Sequence, residues 1–313
     1  MLRYIGKRMI GLVIVLLGVV ALSFVIANVS TVDPVEAYKR MTGANTSKEE
    51  IEAMREEMGL DQPIHIQFVN WLGDAVRFDF GKSFVTKNDA MADLLSRLPY
   101  TLLQVVVAMA FSVLVIVPIG ILSAIKKGTL FDKVVHALTL AGASFPPFWL
   151  GYMLLLLFAV QLKILPVTSY GQLSGVILPA ITLAVPIISI NVRMLRANVL
   201  DNLNQDYVLY AKARGLSNRK IVGKHVLKNA AAPMITILGQ TFGYTVAGAV
   251  IVENVFAWPG VGGYAVSAII ARDLPVVNAY VILIALIFVV CNLLADIAQI
   301  AINPKLLTEG GDL

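Results

Sequence analysis

Residues 100–124 read YTLLQVVVAMAFSVLVIVPIGILSA and contain no charged side chain. An α-helix needs about 20 mostly apolar residues to cross the hydrocarbon core of a bilayer, so this run is long enough to span a membrane. The rest of the chain has the same character, since 58% of its 313 residues are hydrophobic, 14% are charged and the mean hydropathy is +0.79. This composition excludes an ordinary soluble domain and predicts an all-α polytopic membrane protein.

Six apolar segments predict six transmembrane helices. They are approximately 9–29, 100–124, 134–162, 176–192, 232–252 and 277–302. The first segment follows Arg3, Lys7 and Arg8 in the manner of a signal peptide. Its apolar part is longer than the about 7–15 residues of a signal sequence, and no small-residue cleavage site follows it. We therefore interpret the first segment as a retained anchor.

Basic residues in the short loops predict the orientation of these helices, because Lys and Arg are enriched on the cytoplasmic side. Lys126, Lys127 and Lys133 follow the second segment, and the loop 193–231 contains eight Lys and Arg residues against two Asp. Both loops and both chain termini are therefore predicted to be cytoplasmic. The divisions of the chain are then an N-terminal segment with helix 1 (1–29), an external cap (30–98), a transmembrane core (99–302) and a cytoplasmic tail (303–313).

The external cap is predicted to be helical. TSKEEIEAMREEMGLDQP (46–63) predicts a helix that begins at Thr46 or Ser47 and ends at Gly59. IQFVNWLGDAVRFDFGKSF (66–84) predicts an amphipathic helix over 66–76 and a turn at Gly81. A solvated linker is the alternative.

Four prolines are predicted to interrupt the third and fourth helices: Pro146, Pro147, Pro179 and Pro186. Proline frees backbone carbonyl groups, which the hydrocarbon tolerates only beside neighbouring helices or a water-filled cavity. Kinked helices suit a translocation path, and simple packing kinks are the equal alternative.

Ionisable residues inside the spans are few, which bears on the energy source. Carriers driven by protons or sodium ions use chains of Asp, Glu or His within the membrane. Here Glu253 stands alone, Asp296 lies one turn from Asn292, and His136 has no second ligand nearby. The chain also contains no phosphate-binding loop and no HExxH motif. We therefore expect a transport protein with an external energy source, with a stand-alone secondary carrier or channel, or a membrane enzyme, as alternatives.

The densest positive charge lies in YAKARGLSNRKIVGK (210–224). The sequence predicts a helix from Asp206 to Arg214, a left-handed residue at Gly215, and a second helix over 218–229 capped by Ser217. Two short helices joined by a glycine would make a knob for a partner protein, with Tyr207, Leu209, Tyr210 and Leu216 filling a groove of that partner. Alternatively, the charges only enforce topology and contact lipid headgroups.

This knob resembles the cytoplasmic coupling loop, the EAA loop, of the permeases of binding-protein-dependent ABC importers. The family pattern is Glu-Ala-Ala with Gly four residues further on, and Leu209, Tyr210, Ala211 and Gly215 occupy those places. DYVLYAKARGL (206–216) is similar to the variant found in the dipeptide, oligopeptide and nickel branch. The resemblance implies that the residues coupling to ATPases are Tyr210, Ala211, Ala213, Arg214, Gly215 and Leu216.

Further motifs resemble the same branch along most of the chain: SFPPFWLG (144–151), ILPAITLA (177–184) and INPKL (302–306). IVENVFAWPGVGGYAVSAIIARDLPVV (251–277), with INVRMLRANVLD (190–201) and FVVCNLLAD (288–296), is more similar to the nickel permease B subunit than to the peptide permeases. The candidate pathway or gate residues are Glu253, Trp258, Pro259, Gly260, Asn292 and Asp296, and Gln104 and Asn191 are further candidates for the lining.

The resemblance implies a type I ABC importer permease fold of six helices with a small helical cap, in the cytoplasmic (inner) membrane. It implies that the chain forms half of a pathway for nickel, as the ion or a small chelate, with di- or oligopeptide import as the alternative. No cofactor is expected in this chain, because ATP and Mg would bind the partner subunits. The implied partners are a second homologous permease subunit, two ATPase subunits, an extracytoplasmic substrate-binding protein and membrane lipid, with no nucleic acid.

Overall fold

A computed structural model describes residues 2–29, 35, 52, 55–56, 61–166 and 173–302. Within these ranges the structure is helical and has no β-strand, only an isolated bridge between Lys82 and Asp89. The all-α prediction is therefore confirmed. The helix predicted from Thr46 or Ser47 to Gly59 lies mostly outside the described residues, and the tail 303–313 lies wholly outside them.

The helices that organise the structure are numbered here in chain order. They are α1 (Leu2–Val29), α2 (Ile64–Val76), α3 (Ala90–Ile125), α4 (Leu130–Ser144), α5 (Pro147–Leu154), α6 (Ile177–Leu203), α7 (Asp206–Ala213), α8 (Leu227–Val255), α9 (Val261–Ala271) and α10 (Leu274–Ile302). A π-helical segment, Leu155–Gln161, extends α5, and a 3-10 turn, Leu173–Val176, precedes α6. The predicted cap helix over 66–76 agrees with α2, and Gly81 has the expected left-handed φ of 75°.

Four helices of the described chain are long and apolar enough to cross a membrane: 90–125, 174–203, 233–255 and 274–299. The pair α4 and α5 passes the same test only when its two parts are taken together, and α1 adds the shorter apolar stretch Ile10–Val25. A multi-pass membrane protein is thus confirmed, and the count of six helices stays a prediction.

The prolines act differently in the two helices that they were predicted to interrupt. Pro146 and Pro147 lie at the break between α4 and α5, where the chain bends by 106°. Pro179 lies in the first turn of α6, where its missing N–H has no intrahelical acceptor to lose. Pro186 lies inside α6, which stays helical, so the predicted interruption there was wrong. Packing of α6 against α4 and α8 holds the helix together despite the lost hydrogen bond.

The chain forms two compact units, described separately here. In the first unit, residues 102–258 and 290 onward, α6 is the central helix: 67% of its apolar window is buried, against 22–28% for the other long spans. Its Val192, Leu195 and Val199 form a core with residues of α3, α4, α7 and α8. The second unit contains residues 2–101 and 259–289. In it, the first turns of α3, helix α9 and the first part of α10 share a core around Leu94, Val261 and Val276.

Helices α8 and α10 approach closely at Gly239, where an added Cβ would lie 2.8 Å from the Cβ and 3.3 Å from the Cα of Ala295. Small residues permit such close helix packing in membranes. We expect Gly239→Ala to lower the free energy of unfolding by about 1–3 kcal/mol, because the backbone of α10 cannot rotate away. Thermal unfolding of the purified protein measures this effect.

Gly248→Ala on the same helix is the matched control, since nothing lies within 4 Å of its added Cβ. This control is expected to be neutral or to stabilise the helix by about 0.5–1 kcal/mol. Equal unfolding temperatures for the two variants would contradict the close packing at Gly239.

Candidate functional site

The charged segment begins with α7, which has the helix–glycine–helix geometry that the sequence predicts. The amide N–H of Gly215 donates to the carbonyl of Lys212 (2.9 Å), and that of Leu216 donates to the carbonyl of Ala211 (3.2 Å). Gly215 has a φ of 74°, a conformation that costs energy for any residue with a side chain. Ser217 then caps the next turn by accepting a hydrogen bond from the amide of Lys220 (3.4 Å).

The second helix of this segment does not end at residue 229 as predicted. The turn Asn218–Lys220 continues through a π-helical segment, Ile221–Val226, directly into α8, which ends only at Val255. The prediction was wrong because nothing in the local sequence distinguishes a helix that stops before an apolar span from one that enters it, and α8 continues through Pro233. Residues 218–226 are therefore a continuous helical extension of a membrane helix rather than half of a separate knob.

Helix α7 buries one face and presents the other. Val208 and Ala211 are buried in the core of the first unit, whereas Leu209 and Tyr210 are 70% and 66% exposed. The guanidinium of Arg214 lies 5.7 Å from the ring centroid of Tyr210, and Ala213 is also exposed. The exposed side of α7 thus includes Leu209, Tyr210, Ala213 and Arg214, which we call the coupling face after the role that the sequence predicts for it.

Other residues that were predicted to contact a partner lie against the protein itself. Tyr207 and Leu216 are half-buried on the same core, and the hydroxyl of Tyr207 donates to Asn202 Oδ1 (3.0 Å). Ala211 is also buried rather than presented. These three residues hold α7 in place, because their side chains pack on the core of the first unit.

A partly buried ion pair that sequence reasoning missed fixes the connection from α3 to α4 on α6. Arg196 Nε and Nη2 donate to Asp132 Oδ1 and Oδ2, each at 2.7 Å. Asp132 is 5% exposed and also accepts from Ser123 Oγ (2.5 Å) and the amide of Gly128 (2.9 Å). The carboxylate thus has hydrogen bonds to both oxygens, as a buried charge requires. The signal for it was weak, since Arg196 reads as one of many basic residues in a loop.

The second candidate region lies at the far end of α8. Glu253 and Gln104 are fully buried, and Gln104 Nε2 donates to Glu253 Oε1 at 2.9 Å. The amide N–H of Trp258 donates to the carbonyl of Glu253 (2.8 Å), and Trp258 is 6% exposed. Glu253 and Gln104 were both predicted to lie along a pathway, and here they join α8 to α3 in the interior of the first unit.

The remaining predicted pathway residues have different surroundings. Asp296 is buried and Asn292 half-buried, one turn apart on α10. Asn191 is 3% exposed and donates to the carbonyl of Ile187 (2.8 Å). In the described ranges no group of three or more His, Cys, Asp or Glu residues could hold a metal ion.

In the second unit, the glycine-rich turn starts α9. Gly260 is buried and Pro259 half-buried, and the amide of Val261 donates to Thr101 Oγ1 on α3 (2.9 Å). Asp93 links the same helices, because it accepts hydrogen bonds from the hydroxyl of Tyr264 (3.0 Å) and from Thr86 Oγ1 (2.6 Å). These contacts fix the position of α9 on α3.

Asp273 ties the break between α9 and α10 to the cap. It is 1% exposed and accepts hydrogen bonds from Ser83 Oγ (2.5 Å), the amide of Phe84 (3.1 Å) and the amide of Val85 (3.3 Å). Arg272 just before it is left-handed, with a φ of 57°. The sequence shows only an acidic residue in an outer loop, so this anchor was not predicted.

We expect Asp273→Asn to loosen residues 83–85, because an amide nitrogen cannot accept the hydrogen bonds that a carboxylate oxygen accepts. Hydrogen bonds to charged groups contribute about 1.5–3 kcal/mol each, so the backbone amides of this segment should exchange at least about tenfold faster. Hydrogen–deuterium exchange of peptides covering 83–86 measures this change. Asp74→Asn, at an exposed residue of α2 in the same cap, is the control, and similar exchange in both variants would contradict the anchor.

Comparison with known proteins gives matches over most of the chain. The family model "Binding-protein-dependent transport system inner membrane component" matches residues 116–308, and the model for the N-terminal part of such membrane components matches residues 1–107. The glutathione transport system permease protein GsiC of Salmonella typhi is 36% identical over 98% of this chain and 99% of its own length. The protein of the same name from Escherichia coli K12 is 35% identical over the same shares.

A solved structure shows a similar fold. The inward-facing MetNI methionine ABC transporter matches with a TM-score of 0.58 over 68% of this chain and 97% of that chain. The sequence identity of the two chains is 20%, so the likeness shows the fold alone.

Proposed function

The chain belongs to the family of binding-protein-dependent transport system inner membrane components, the permease subunits of ABC importers, and from this premise we propose that it imports a short peptide of the glutathione kind. The predicted multi-pass inner membrane protein and type I importer permease fold agree with this family. A permease subunit is not itself an enzyme, as the sequence predicted, because ATP hydrolysis belongs to partner subunits.

One observation carries the choice of substrate: the similarity to glutathione permeases covers both chains almost from end to end. Nickel, which the sequence motifs favoured, finds no support in the names of these relatives. The described residues also offer no cluster of metal ligands. A peptide needs a different environment, with polar groups to bind its amides and charged ends and apolar walls around them.

The proposed partners follow from the role of a permease. ATPase subunits bind the coupling face, where Leu209 and Tyr210 present large apolar side chains to the side predicted to be cytoplasmic. A second permease subunit completes the pathway, and a substrate-binding protein delivers the peptide on the opposite side. ATP and Mg bind only the ATPase subunits.

The proposed coupling mechanism uses the continuity of the helical segment after Ser217. Val208 and Ala211 hold α7 in the same core as α6 and the start of α8, so a movement of the coupling face carries these helices with it. From Leu227 to Glu253, α8 extends ~40 Å at about 1.5 Å per residue. One continuous helix thus joins the proposed ATPase side to the Gln104–Glu253 contact, and we propose that closure of the ATPases makes or breaks this contact as the pathway alternates.

The substrate is tested by uptake into cells that contain the complete transporter. We expect radiolabelled glutathione to enter the cells. Short peptides should reduce its uptake by competition, and nickel should not change it. Uptake of radioactive nickel that glutathione does not reduce would overturn the peptide proposal and restore the nickel interpretation. Cells lacking the ATPase subunits are the control, since a secondary carrier or channel would still transport without them.

A further inference from the structure

A groove lies in the first unit beside residues 206–226, which we call the coupling segment, and its volume is about 570 Å³. It is formed by the last turns of α3, the end of α6, α7 and the turns that follow Ser217. Its floor is apolar and its rim is basic: the floor includes Ile121, Ile125, Leu203 and Val222, and the rim includes Lys212 and Arg219. The size is that of sites for small ligands, which range over about 300–1,000 Å³.

The position of the groove relates it to the membrane surface. Ile121 and Ile125 lie in the last turns of α3, and Leu203 is the last residue of α6. The apolar run of α3 ends at Ile125 and is followed at once by Lys126 and Lys127, as expected where hydrocarbon gives way to lipid headgroups on the cytoplasmic side. The apolar floor therefore continues the hydrocarbon layer, and the rim lies at headgroup level on the side predicted to be cytoplasmic.

The rim is positively charged and its charges are not neutralised within the described chain. Lys212 and Arg219 are exposed, and neither forms a salt bridge in the part of the chain that the structure describes. Lys126 and Lys127 directly follow the floor residues of α3 and add to the positive charge. A guanidinium and an ammonium group on the lining of one groove suit a phosphate group, which arginine binds through two N–H groups and lysine as a point charge.

We propose that this groove binds an anionic phospholipid of the inner leaflet, with its phosphate between Lys212 and Arg219 and the start of an acyl chain along Ile125 and Val222. Basic pockets at the ends of membrane helices bind such headgroups by this combination of charge and apolar contact. The bound lipid fills the space between α3 and the π-helical segment Ile221–Val226, and so supports the coupling segment from the membrane side. Leu209 and Tyr210, the exposed apolar residues of the coupling face, do not line this groove, so the proposed lipid site differs from the proposed ATPase contact.

The site is tested by photocrosslinking in vesicles of phosphatidylcholine that contain the complete transporter and a trace of photoactivatable phosphatidylglycerol. We expect labelling of peptides from the C-terminal end of α3 and of peptides covering residues 218–226. Lys212→Gln with Arg219→Gln should reduce this labelling at least about fivefold. Lys82→Gln with Lys87→Gln, two exposed lysines of the cap, is the charge-matched control and should leave the labelling unchanged.

A second variant separates the groove from general surface charge. Val222→Trp keeps every charge but fills the floor, so it should also reduce the labelling of these peptides. Equal labelling by photoactivatable phosphatidylcholine, or labelling that neither variant changes, would overturn the lipid site. Protection of the groove by the ATPase subunits, seen as labelling that appears only after their removal, would also overturn it, because the occupant would then be protein. None of these readouts depends on the transported substrate, so failure of the peptide proposal leaves the test intact.

Discussion

Asp132→Ala is expected to lower the free energy of unfolding by about 2–4 kcal/mol, because it removes a buried carboxylate that accepts hydrogen bonds on both oxygens and leaves the partly buried guanidinium of Arg196 without its partner. The carboxylate also holds Ser123 and Gly128, so the connection between α3 and α4 loses its attachment to α6. Thermal or denaturant unfolding of the purified protein measures the loss. An effect below about 1 kcal/mol would be that of an exposed pair and would contradict the burial seen here.

Two further variants separate the ion pair from the general removal of a charge. Asp201→Ala removes an exposed carboxylate near the end of α6, the helix that carries Arg196. It is expected to change the free energy of unfolding by no more than about 0.5 kcal/mol. The double variant Asp132→Leu with Arg196→Met should recover part of the stability lost in Asp132→Ala, because no partly buried charge then remains unpaired. Failure of this recovery would mean that the hydrogen bonds to Ser123 and Gly128 dominate instead.

Gly215→Pro is expected to uncouple the transporter, with uptake falling at least about tenfold while the ATPase subunits still hydrolyse ATP. Proline fixes φ near −65° and has no N–H, whereas Gly215 has a φ of 74° and donates a hydrogen bond to Lys212. The turn between α7 and the following helix must therefore change its direction. The coupling face would then move without carrying α8, a prediction measured by uptake and ATP hydrolysis in the same vesicles.

Gly81→Pro is the matched control, since Gly81 has a φ of 75° and its amide also donates a hydrogen bond, to Asp79 Oδ1 (3.1 Å). It belongs to the cap in the second unit and not to the coupling segment, so the ratio of uptake to hydrolysis in this variant should stay that of the unmodified protein. Normal uptake in Gly215→Pro would refute the coupling role of this turn. Loss of uptake and hydrolysis together would indicate instead that the complex no longer assembles.

Features read within one segment of the chain were predicted well. The apolar run 100–124 lies within α3, the cap helix agrees with α2 (Ile64–Val76), and Gly215 ends α7 in the left-handed conformation. Each depends on the local pattern of apolar residues or on the conformations open to one residue type. The continuation of residues 218–226 into α8 was missed, because nothing local distinguishes a helix that stops before an apolar span from one that enters it.

The sequence by itself determined that this protein is helical, lies in a membrane and has a glycine turn after α7, because hydrophobicity and glycine conformation are properties of neighbouring residues. Only the tertiary structure decided that Asp132 pairs with Arg196, that Gln104 meets Glu253 and that Asp273 holds the cap. The partners in these contacts are 64, 149 and up to 190 residues apart in the chain. Which of many polar side chains meet depends on which helix faces pack together, and a one-residue rotation of a helix by about 100° would change every partner.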